Sequence, residues 1–265
     1  VVKSGFKRGS SLSAVGLPSW NHHRRRVRPP LAQRPRFVIA VRLQRLFNRV
    51  LLNEGPQPRL GSRRLSFMKI KVCGVTRPQD ARLAAKLGAW AVGMIFVPNT
   101  PRYLTPPKAR RVRAAIPKGV LAVGVFRHVA ASELRRVVRE LRLDAVQIYG
   151  TVPRGIGVRV IQAVTLDARP LRGKMVLIEP ARTDADRRAG RGPSVRAQRK
   201  AWKTAQAWRA TGARAILAGG LTPDNAAEAA SAARPWALDV SSGVESEPGI
   251  KSPRLLRAFF KAAGA

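Results

Sequence analysis

The sequence predicts a protein of the α/β class, a compact (β/α)8 TIM barrel, from Met68 onward. Short runs rich in β-branched residues alternate there with Ala/Arg-rich segments of helical spacing. Eight such runs occur, and eight strands joined by right-handed helical crossovers close most economically as a barrel. An open doubly wound sheet is the rival fold, but no G-x-G-x-x-G fingerprint follows the first run.

The predicted elements follow one another at regular intervals. The strand-like runs are 69–73, 91–96, 120–126, 144–149, 157–163, 174–179, 214–219 and 236–241. The helix-like segments are 78–88, 106–116, 131–141, 197–211, 222–233 and 252–263. Thr, Ser or Pro introduces several of these segments, as is typical of a helix N-cap or first turn. The connections after the fourth and fifth strands are too short for full helices.

The chain is strongly basic, with 51 Lys or Arg against 14 Asp or Glu and a formal net charge of +37. Charge of this sign favours nucleic acid, anionic lipid or an acidic substrate as a partner. Residues 1–67 contain 15 of the basic residues and one acid, Glu54, and so carry +14. The remaining 36 basic and 13 acidic residues give +23 to residues 68–265.

Residues 1–67 form a basic, Arg/Pro/Ser-rich extension that we expect to be disordered, ahead of a catalytic domain over 68–265. Met68 directly precedes the first strand, which favours a dispensable or misassigned start upstream of it. A targeting segment and a binding arm remain open as alternatives. We expect contact with nucleic acid only through this extension.

Cysteine and histidine are scarce, with one Cys and three His in the whole chain. A single cysteine excludes an internal disulfide and indicates a reducing, cytoplasmic location. The histidines show no spacing typical of a metal site, and no apolar run approaches the roughly 18 residues that span a bilayer. We therefore expect no metal, no membrane contact, and a monomer or homodimer.

The C-terminal ends of barrel strands meet at one face, where active sites lie. The predicted strand ends and their loops bring to this face Cys73, Arg102, Phe126, Gln147, Glu179, Gly219, Gly220, Asp239, Ser241, Ser242 and Gly243. The small residues after strands seven and eight predict backbone N–H groups that bind a phosphate. Tight turns alone would also explain them.

A thiol and a carboxylate on this face predict acid–base chemistry. We expect the surrounding positive charge to lower the pKa of Cys73 toward neutrality, so that its thiolate is a general base with Glu179 as partner acid. A buried hydrophobe would also explain Cys73, and pairing with Arg182 would explain Glu179. Arg102, in a proline-stiffened loop, is placed to bind a carboxylate. Asp239, in an apolar strand, needs a hydrogen-bonding or substrate role.

Six ordered blocks between residue 68 and about residue 263 resemble the phosphoribosylanthranilate isomerase family of tryptophan biosynthesis. They are KVCGVT at 71, NTPRYLTP at 99, VGVF at 123, LDAVQIYG at 143, AGGLTPDN at 218 and DVSSGVESEPGIKS at 239. The resemblance implies a cofactor-free Amadori rearrangement. In it, N-(5-phosphoribosyl)anthranilate becomes 1-(2-carboxyphenylamino)-1-deoxyribulose 5-phosphate.

The same resemblance implies a role for each site residue. Cys73 would be the general base that removes the C2 proton, and Glu179 the general acid that protonates the ring oxygen. Arg102 would bind the anthranilate carboxylate, and Asp239 would organise the site. The turns that contain Gly219 and Ser241 would bind the phosphate through Gly220, Ser242 and Gly243.

Three positions depart from the family pattern. Glu179 stands where the family usually has Asp, Tyr149 where it has His, and Ser252 where it has Asp. We expect Tyr149 and Ser252 to affect packing and a helix cap. Because Glu reaches about 1.5 Å further than Asp, Asp184 in the next loop is the fallback acid. That loop, 182–196, is either a lid over the substrate or disordered.

Two other kinds of function remain open. A different phosphate-binding barrel, related to ribulose-phosphate epimerase or indoleglycerol-phosphate synthase, would need metal-binding histidines or a catalytic lysine pair, and the barrel has one histidine, His128. A degenerate barrel that binds RNA or anions would explain the basic charge, but no aromatic stripe accompanies it. The same charge would steer a small phosphorylated substrate to an enzyme.

Overall fold

Eight parallel strands form a closed barrel in the computed structural model. The structure describes residues 68–171, 173–180 and 192–265. The extension 1–67 and the loop segment 181–191, with the fallback acid Asp184, lie outside the described residues. Within the described part, the predicted fold class is confirmed.

The barrel strands are hydrogen-bonded in chain order, and the last strand closes the barrel against the first. They are β1 Lys69–Val72, β2 Ala91–Ile95, β3 Leu121–Arg127, β4 Ala145–Tyr149, β5 Arg159–Val164, β6 Met175–Ile178, β7 Arg214–Leu217 and β8 Ala237–Val240. All eight predicted strands are present. A short antiparallel pair, β9 Glu245–Glu247 and β10 Ile250–Lys251, follows β8.

Helices connect most of the strands. They are α1 Pro78–Lys86, α2 Pro106–Ala114, α3 Ala131–Leu141, α4 Val195–Ala210, α5 Ala226–Ala233 and α6 Pro253–Ala263. Helix α5 begins four residues later than predicted, because Asn225 closes a turn by accepting a hydrogen bond from the N–H of Thr222 at 2.9 Å. The described residues of the two short connections contain no helix, as predicted. Among the described residues, every helix is too short or too polar to cross a lipid bilayer.

Successive side chains of a strand point to opposite faces, and this divides the core into two layers. The small inner layer, inside the barrel, consists of Ala91, Val123, Ala145, Ile161, Leu177, Ile216, Ala218 and Ala237. The outer layer contains the opposite strand faces, such as Ile70 and Val72, together with helix residues such as Phe259. Side chains near the top of the inner layer are therefore the ones that face the mouth of the barrel.

Phe126 belongs to the outer layer, so its predicted place at the mouth is wrong. Its ring stacks on Phe96 with centroids 5.1 Å apart. Strand β3 continues to Arg127. Because successive side chains of a strand point to opposite faces, Phe126 points outward while Val125 and Arg127 face the mouth.

Ser252 caps helix α6, as expected from its position. Its Oγ accepts a hydrogen bond from the N–H of Leu255 at 3.4 Å. The cap satisfies a helix donor that would otherwise have no partner within the helix.

We predict that Ser252→Ala lowers the free energy of unfolding by about 1 kcal/mol, because the cap acceptor is lost. Ser252→Asp keeps an acceptor and adds a negative charge at the helix N-terminus, so its stability should stay close to that of the unmodified protein. Urea denaturation followed by circular dichroism measures both. Equal losses in the two variants would contradict the cap.

Candidate active site

A cavity of about 440 Å³ opens at the C-terminal ends of the strands. Its walls come from five separated segments of the chain that carry the predicted site residues. All nine of those residues line it: Cys73, Arg102, Glu179, Gly219, Gly220, Asp239, Ser241, Ser242 and Gly243. The structure therefore brings the predicted set together in one place.

The first strand supplies two inward side chains, because Lys71 and Cys73 are two residues apart. Their neighbour on β2 is Gly93. A Cβ atom at this glycine would lie 2.8 Å from Cys73 Sγ and 3.3 Å from Lys71 Nζ. The missing side chain therefore makes room for the ammonium and the thiol inside the barrel.

Lys71 and Asp239 form an ion pair inside the barrel where β1 meets β8. Lys71 Nζ lies 2.9 Å from both carboxylate oxygens of Asp239. The side chain of Lys71 is fully buried and that of Asp239 is 7% exposed. Burial opposes the charge on Lys71, but Asp239 and Cys73 outweigh it and raise the pKa of the ammonium. Asp239 thus has the hydrogen-bonding partner that its buried position requires.

The thiol of Cys73 is buried beside this ion pair and is 5% exposed. Burial raises the pKa of Cys73, and the nearby charge of Lys71 opposes that rise without reversing it. The expectation that positive charge brings this pKa toward neutrality is therefore wrong. Desolvation outweighs the attraction because the carboxylate of Asp239, which also raises the pKa, accompanies the lysine.

Arg102 is positioned by a carboxylate of the opposite loop. Its Nε donates to Glu245 Oε1 at 2.9 Å and its Nη2 donates to Oε2. Lys251 Nζ donates to Glu245 Oε1 at 2.7 Å and to the carbonyl of Ser241 at 3.1 Å. Burial would raise the pKa of Glu245, but the hydrogen bonds and charges of Arg102 and Lys251 outweigh it and hold the pKa below its usual value. Glu245 therefore stays ionised and fixes the guanidinium.

Two amide-rich turns also line the cavity. One is Gly219-Gly220 after β7, and the other is 241–243 after β8, where Ser242–Val244 forms a 3-10 turn. A Cβ atom at Gly243 would overlap the carbonyl oxygen of Leu221, so glycine is required for the two loops to approach each other. Closely packed turns of this kind present backbone N–H groups suited to an anion.

Glu179 directly follows β6 and lines the cavity beside Tyr149 of β4. Tyr149 Oη accepts a hydrogen bond from Gln147 Nε2 at 3.2 Å. The pKa of Tyr149 lies well above its usual value, first because of burial and then because of the charge of Glu179 and a hydrogen bond with it. Tyr149 therefore contacts the site directly, beyond the packing role expected from the sequence.

Our sequence reasoning missed Lys71, Glu245 and Lys251, although all three stand inside the quoted blocks. The signal for Lys71 was available, since it precedes Cys73 by two residues and must share its inward face. Glu245 and Lys251 follow the last strand in an irregular segment, where no periodicity indicates which side chains turn inward.

The combination of groups around the cavity defines what it can do chemically. A guanidinium suits a carboxylate, amide-rich turns suit a phosphate, and a thiol and a carboxyl group can move protons. The cavity therefore suits a small substrate that carries a carboxylate and a phosphate.

Comparison with known proteins points to one family. The sequence model of the N-(5'-phosphoribosyl)anthranilate (PRA) isomerase family matches residues 70–179 and 183–262. A protein named N-(5'-phosphoribosyl)anthranilate isomerase from Trichlorobacter lovleyi is 36% identical over 215 residues, covering 74% of this chain and 98% of its own length.

Solved structures agree with this match. The crystal structure of phosphoribosyl anthranilate isomerase from Thermus thermophilus is 37% identical, with a TM-score of 0.62, and covers 74% of this chain and 98% of its own. A crystal structure of such an isomerase in complex with reduced 1-(o-carboxyphenylamino)-1-deoxyribulose 5-phosphate is 30% identical, with a TM-score of 0.61 and the same coverage.

We predict that Lys71→Met lowers the free energy of unfolding by about 3–5 kcal/mol, because it leaves Asp239 as an uncompensated buried charge. The double variant Lys71→Met/Asp239→Asn removes both charges and should recover a large part of that loss. Urea denaturation of the two single variants and the double variant gives the coupling free energy. Strictly additive losses would contradict the ion pair.

We also predict that Cys73 reacts with iodoacetamide more slowly than a free thiol at pH 8, and that its rate rises to a plateau at a higher pH. Burial favours the neutral thiol, and only the thiolate reacts. Mass spectrometry of the single cysteine measures the rate at each pH. The same chain in urea is the matched control, since its thiol is solvated. Identical pH profiles would contradict the raised pKa.

Proposed function

Because the chain belongs to the N-(5'-phosphoribosyl)anthranilate isomerase family, we propose that it catalyses the Amadori rearrangement of N-(5-phosphoribosyl)anthranilate in tryptophan biosynthesis. The product is 1-(2-carboxyphenylamino)-1-deoxyribulose 5-phosphate, and the reaction needs no cofactor. We assign the catalytic domain to residues 68–265. A cytoplasmic location is part of the proposal, because a reducing compartment protects the thiol that the reaction uses.

The single observation that carries this proposal is the shared cavity of Cys73, Arg102, Glu179 and the two amide-rich turns. The amides of Gly219-Gly220 and 241–243 bind the phosphate at one end. At the other end Arg102 binds the anthranilate carboxylate. Its contact with Glu245 uses Nε and Nη2, which leaves the Nη1 N–H groups to donate to the substrate carboxylate. The two anions thus orient the sugar between the thiol and the carboxyl group.

Glu179 begins the reaction as a general acid. It gives its proton to the ring oxygen, the bond between that oxygen and C1 breaks, and the electron pair of the nitrogen forms the iminium. Cys73 then removes the C2 proton, and the electrons of the broken C–H bond neutralise the iminium to give an enolamine. Return of a proton to C1 and loss of the enol proton give the ketone, so atoms and charge balance without an external reactant.

The environment of Cys73 suits it to the removal of a carbon-bound proton. A thiol whose pKa is raised gives a more basic thiolate. The ammonium of Lys71 stabilises the negative charge when the thiolate forms, and Asp239 keeps that ammonium in place. Asp239 therefore organises the site through Lys71. The net charge of +23 on the barrel and its C-terminal residues attracts a substrate with a phosphate and a carboxylate.

The proposal is tested by the loss of anthranilate fluorescence when the purified full chain receives freshly prepared phosphoribosylanthranilate. We expect turnover in the unmodified chain. Cys73→Ala and Glu179→Gln should each lower kcat at least about 100-fold, since each removes a proton-transfer group.

Glu140→Gln is the matched control, because Glu140 pairs with Arg136 on the exposed face of α3 and its loss should not change kcat. Absence of turnover in the folded, unmodified chain would overturn the assignment and leave a barrel that only binds anions. Full activity of Glu179→Gln would move the general acid to another group, with Asp184 the first to replace by Asn.

A further inference from the structure

Tyr149 and Glu179 both line the cavity, and each is a position where the sequence departs from the family pattern. Hydrogen bonding with the Glu179 side chain is among the causes that raise the pKa of the phenol, so the two groups lie close together. On its other side, Tyr149 Oη accepts a hydrogen bond from Gln147 Nε2 at 3.2 Å. These contacts form a short chain of polar groups that ends at the carboxyl group assigned above as the general acid.

The direction of this chain follows from the groups in it. The Gln147 NH2 group can only donate, so the phenol oxygen is the acceptor in that contact. The single O–H of Tyr149 is then available for Glu179. Because the pKa of Tyr149 is raised well above its usual value, the phenol keeps its proton and remains a donor throughout the neutral range.

The position of the phenol is determined independently of Glu179. The guanidinium of Arg127 lies over the Tyr149 ring, 4.9 Å from its centroid, a distance at which a cation–π contact stabilises the ring. Arg127 and Tyr149 are register partners of β3 and β4. The carbonyl of Tyr149 also accepts a hydrogen bond from the N–H of His128 at 3.2 Å. Backbone and ring are therefore both anchored.

We propose that Tyr149 is a positioning residue for the general acid: its O–H fixes the longer Glu179 side chain and donates to the carboxylate that remains when the ring oxygen takes the proton. The inference rests on the proposed function. Glutamate has one more rotatable bond than aspartate, and an error of about 1 Å at a reacting atom costs on the order of 100-fold in rate. A fixed hydrogen-bond donor removes that freedom.

Tyr149 transfers no proton in this scheme. When Glu179 protonates the ring oxygen, its negative charge forms next to the phenol O–H, and the hydrogen bond strengthens because the acceptor becomes ionised. The stabilisation is larger after proton transfer than before it, so it lowers the barrier and does not merely tighten binding. Loss of Tyr149 should therefore change kcat more than KM.

Other charged groups also face this pair and contribute to its titration. In the described part of the chain they include Cys73 after β1, Arg127 on β3 and Asp239 on β8, together with the Lys71 that pairs with Asp239. None of them changes in the variants below, so a difference between variants reports on the Tyr149 hydroxyl.

The first test is Tyr149→Phe in the full chain, followed by fluorescence across a range of pH. We expect kcat to fall about 10-fold with KM unchanged within about 2-fold. The limb of the kcat profile that reports Glu179 should move to higher pH, because a hydrogen-bond donor to the ionised carboxylate is lost. Tyr103→Phe is the matched control. Tyr103 is the other tyrosine of the chain and lines a separate cavity, so kcat and the limb should not change.

The second test is a double-mutant cycle with Glu179→Gln. If Tyr149 acts through Glu179, adding Tyr149→Phe to Glu179→Gln should cause little further loss of kcat. An equal 10-fold loss in both backgrounds would overturn the inference. An unchanged pH profile of kcat in the single variant Tyr149→Phe would also overturn it.

A readout that needs no turnover separates this inference from the proposed function. With the glutamate side-chain carboxyls labelled with 13C, the resonance absent from Glu179→Gln identifies Glu179, and its titration is followed by NMR. A midpoint at higher pH in Tyr149→Phe supports the contact, even if the unmodified chain does not turn over the substrate and the proposed function fails. An unchanged midpoint overturns the inference, and is the result expected if the phenol donates to Gln147 Oε1 instead.

Discussion

The ion pair between Lys71 and Asp239 connects the first and last strands at the point where the barrel closes. Desolvating each of the two buried charges costs several kcal/mol, and only a short, bidentate contact between them offsets that cost. Here one ammonium contacts both carboxylate oxygens. The thiol of Cys73 stands two residues beyond the ammonium, and the turn 241–243 begins two residues beyond the carboxylate. One contact therefore sets the distance between Cys73 and the turn that we assign to the phosphate.

A second carboxylate links Arg102 to the same strand end. Glu245 binds Arg102, from the loop after β2, and Lys251, which also donates to the carbonyl of Ser241. The guanidinium that we assign to the substrate carboxylate is thus positioned relative to the turn that we assign to the phosphate. Because the substrate has an anion at each end, this spacing determines where its reacting carbons lie. The basic excess alone could not provide such an alignment, since long-range charge attracts without orienting.

The acid and the base of the proposed reaction are placed in different surroundings. Cys73 is buried, and burial favours its neutral form and makes its thiolate more basic. Glu179 is partly exposed at the mouth and contacts the phenol of Tyr149. A basic thiolate suits the removal of a proton from carbon. A carboxyl group that keeps a hydrogen-bond donor suits the protonation of a ring oxygen. The two proton transfers therefore take place in separate environments within one cavity.

The sequence by itself determined the barrel, its eight strands and nine of the residues that line the cavity, because strand and helix periodicities are local and parallel strand ends must meet at one face. It also indicated the cap at Ser252. Only the tertiary structure decided which side chains pair. Lys71 and Asp239 are 168 residues apart, and Arg102 and Glu245 are 143 apart. The direction of the Cys73 pKa likewise depended on burial and on neighbours from other strands, which no local pattern records.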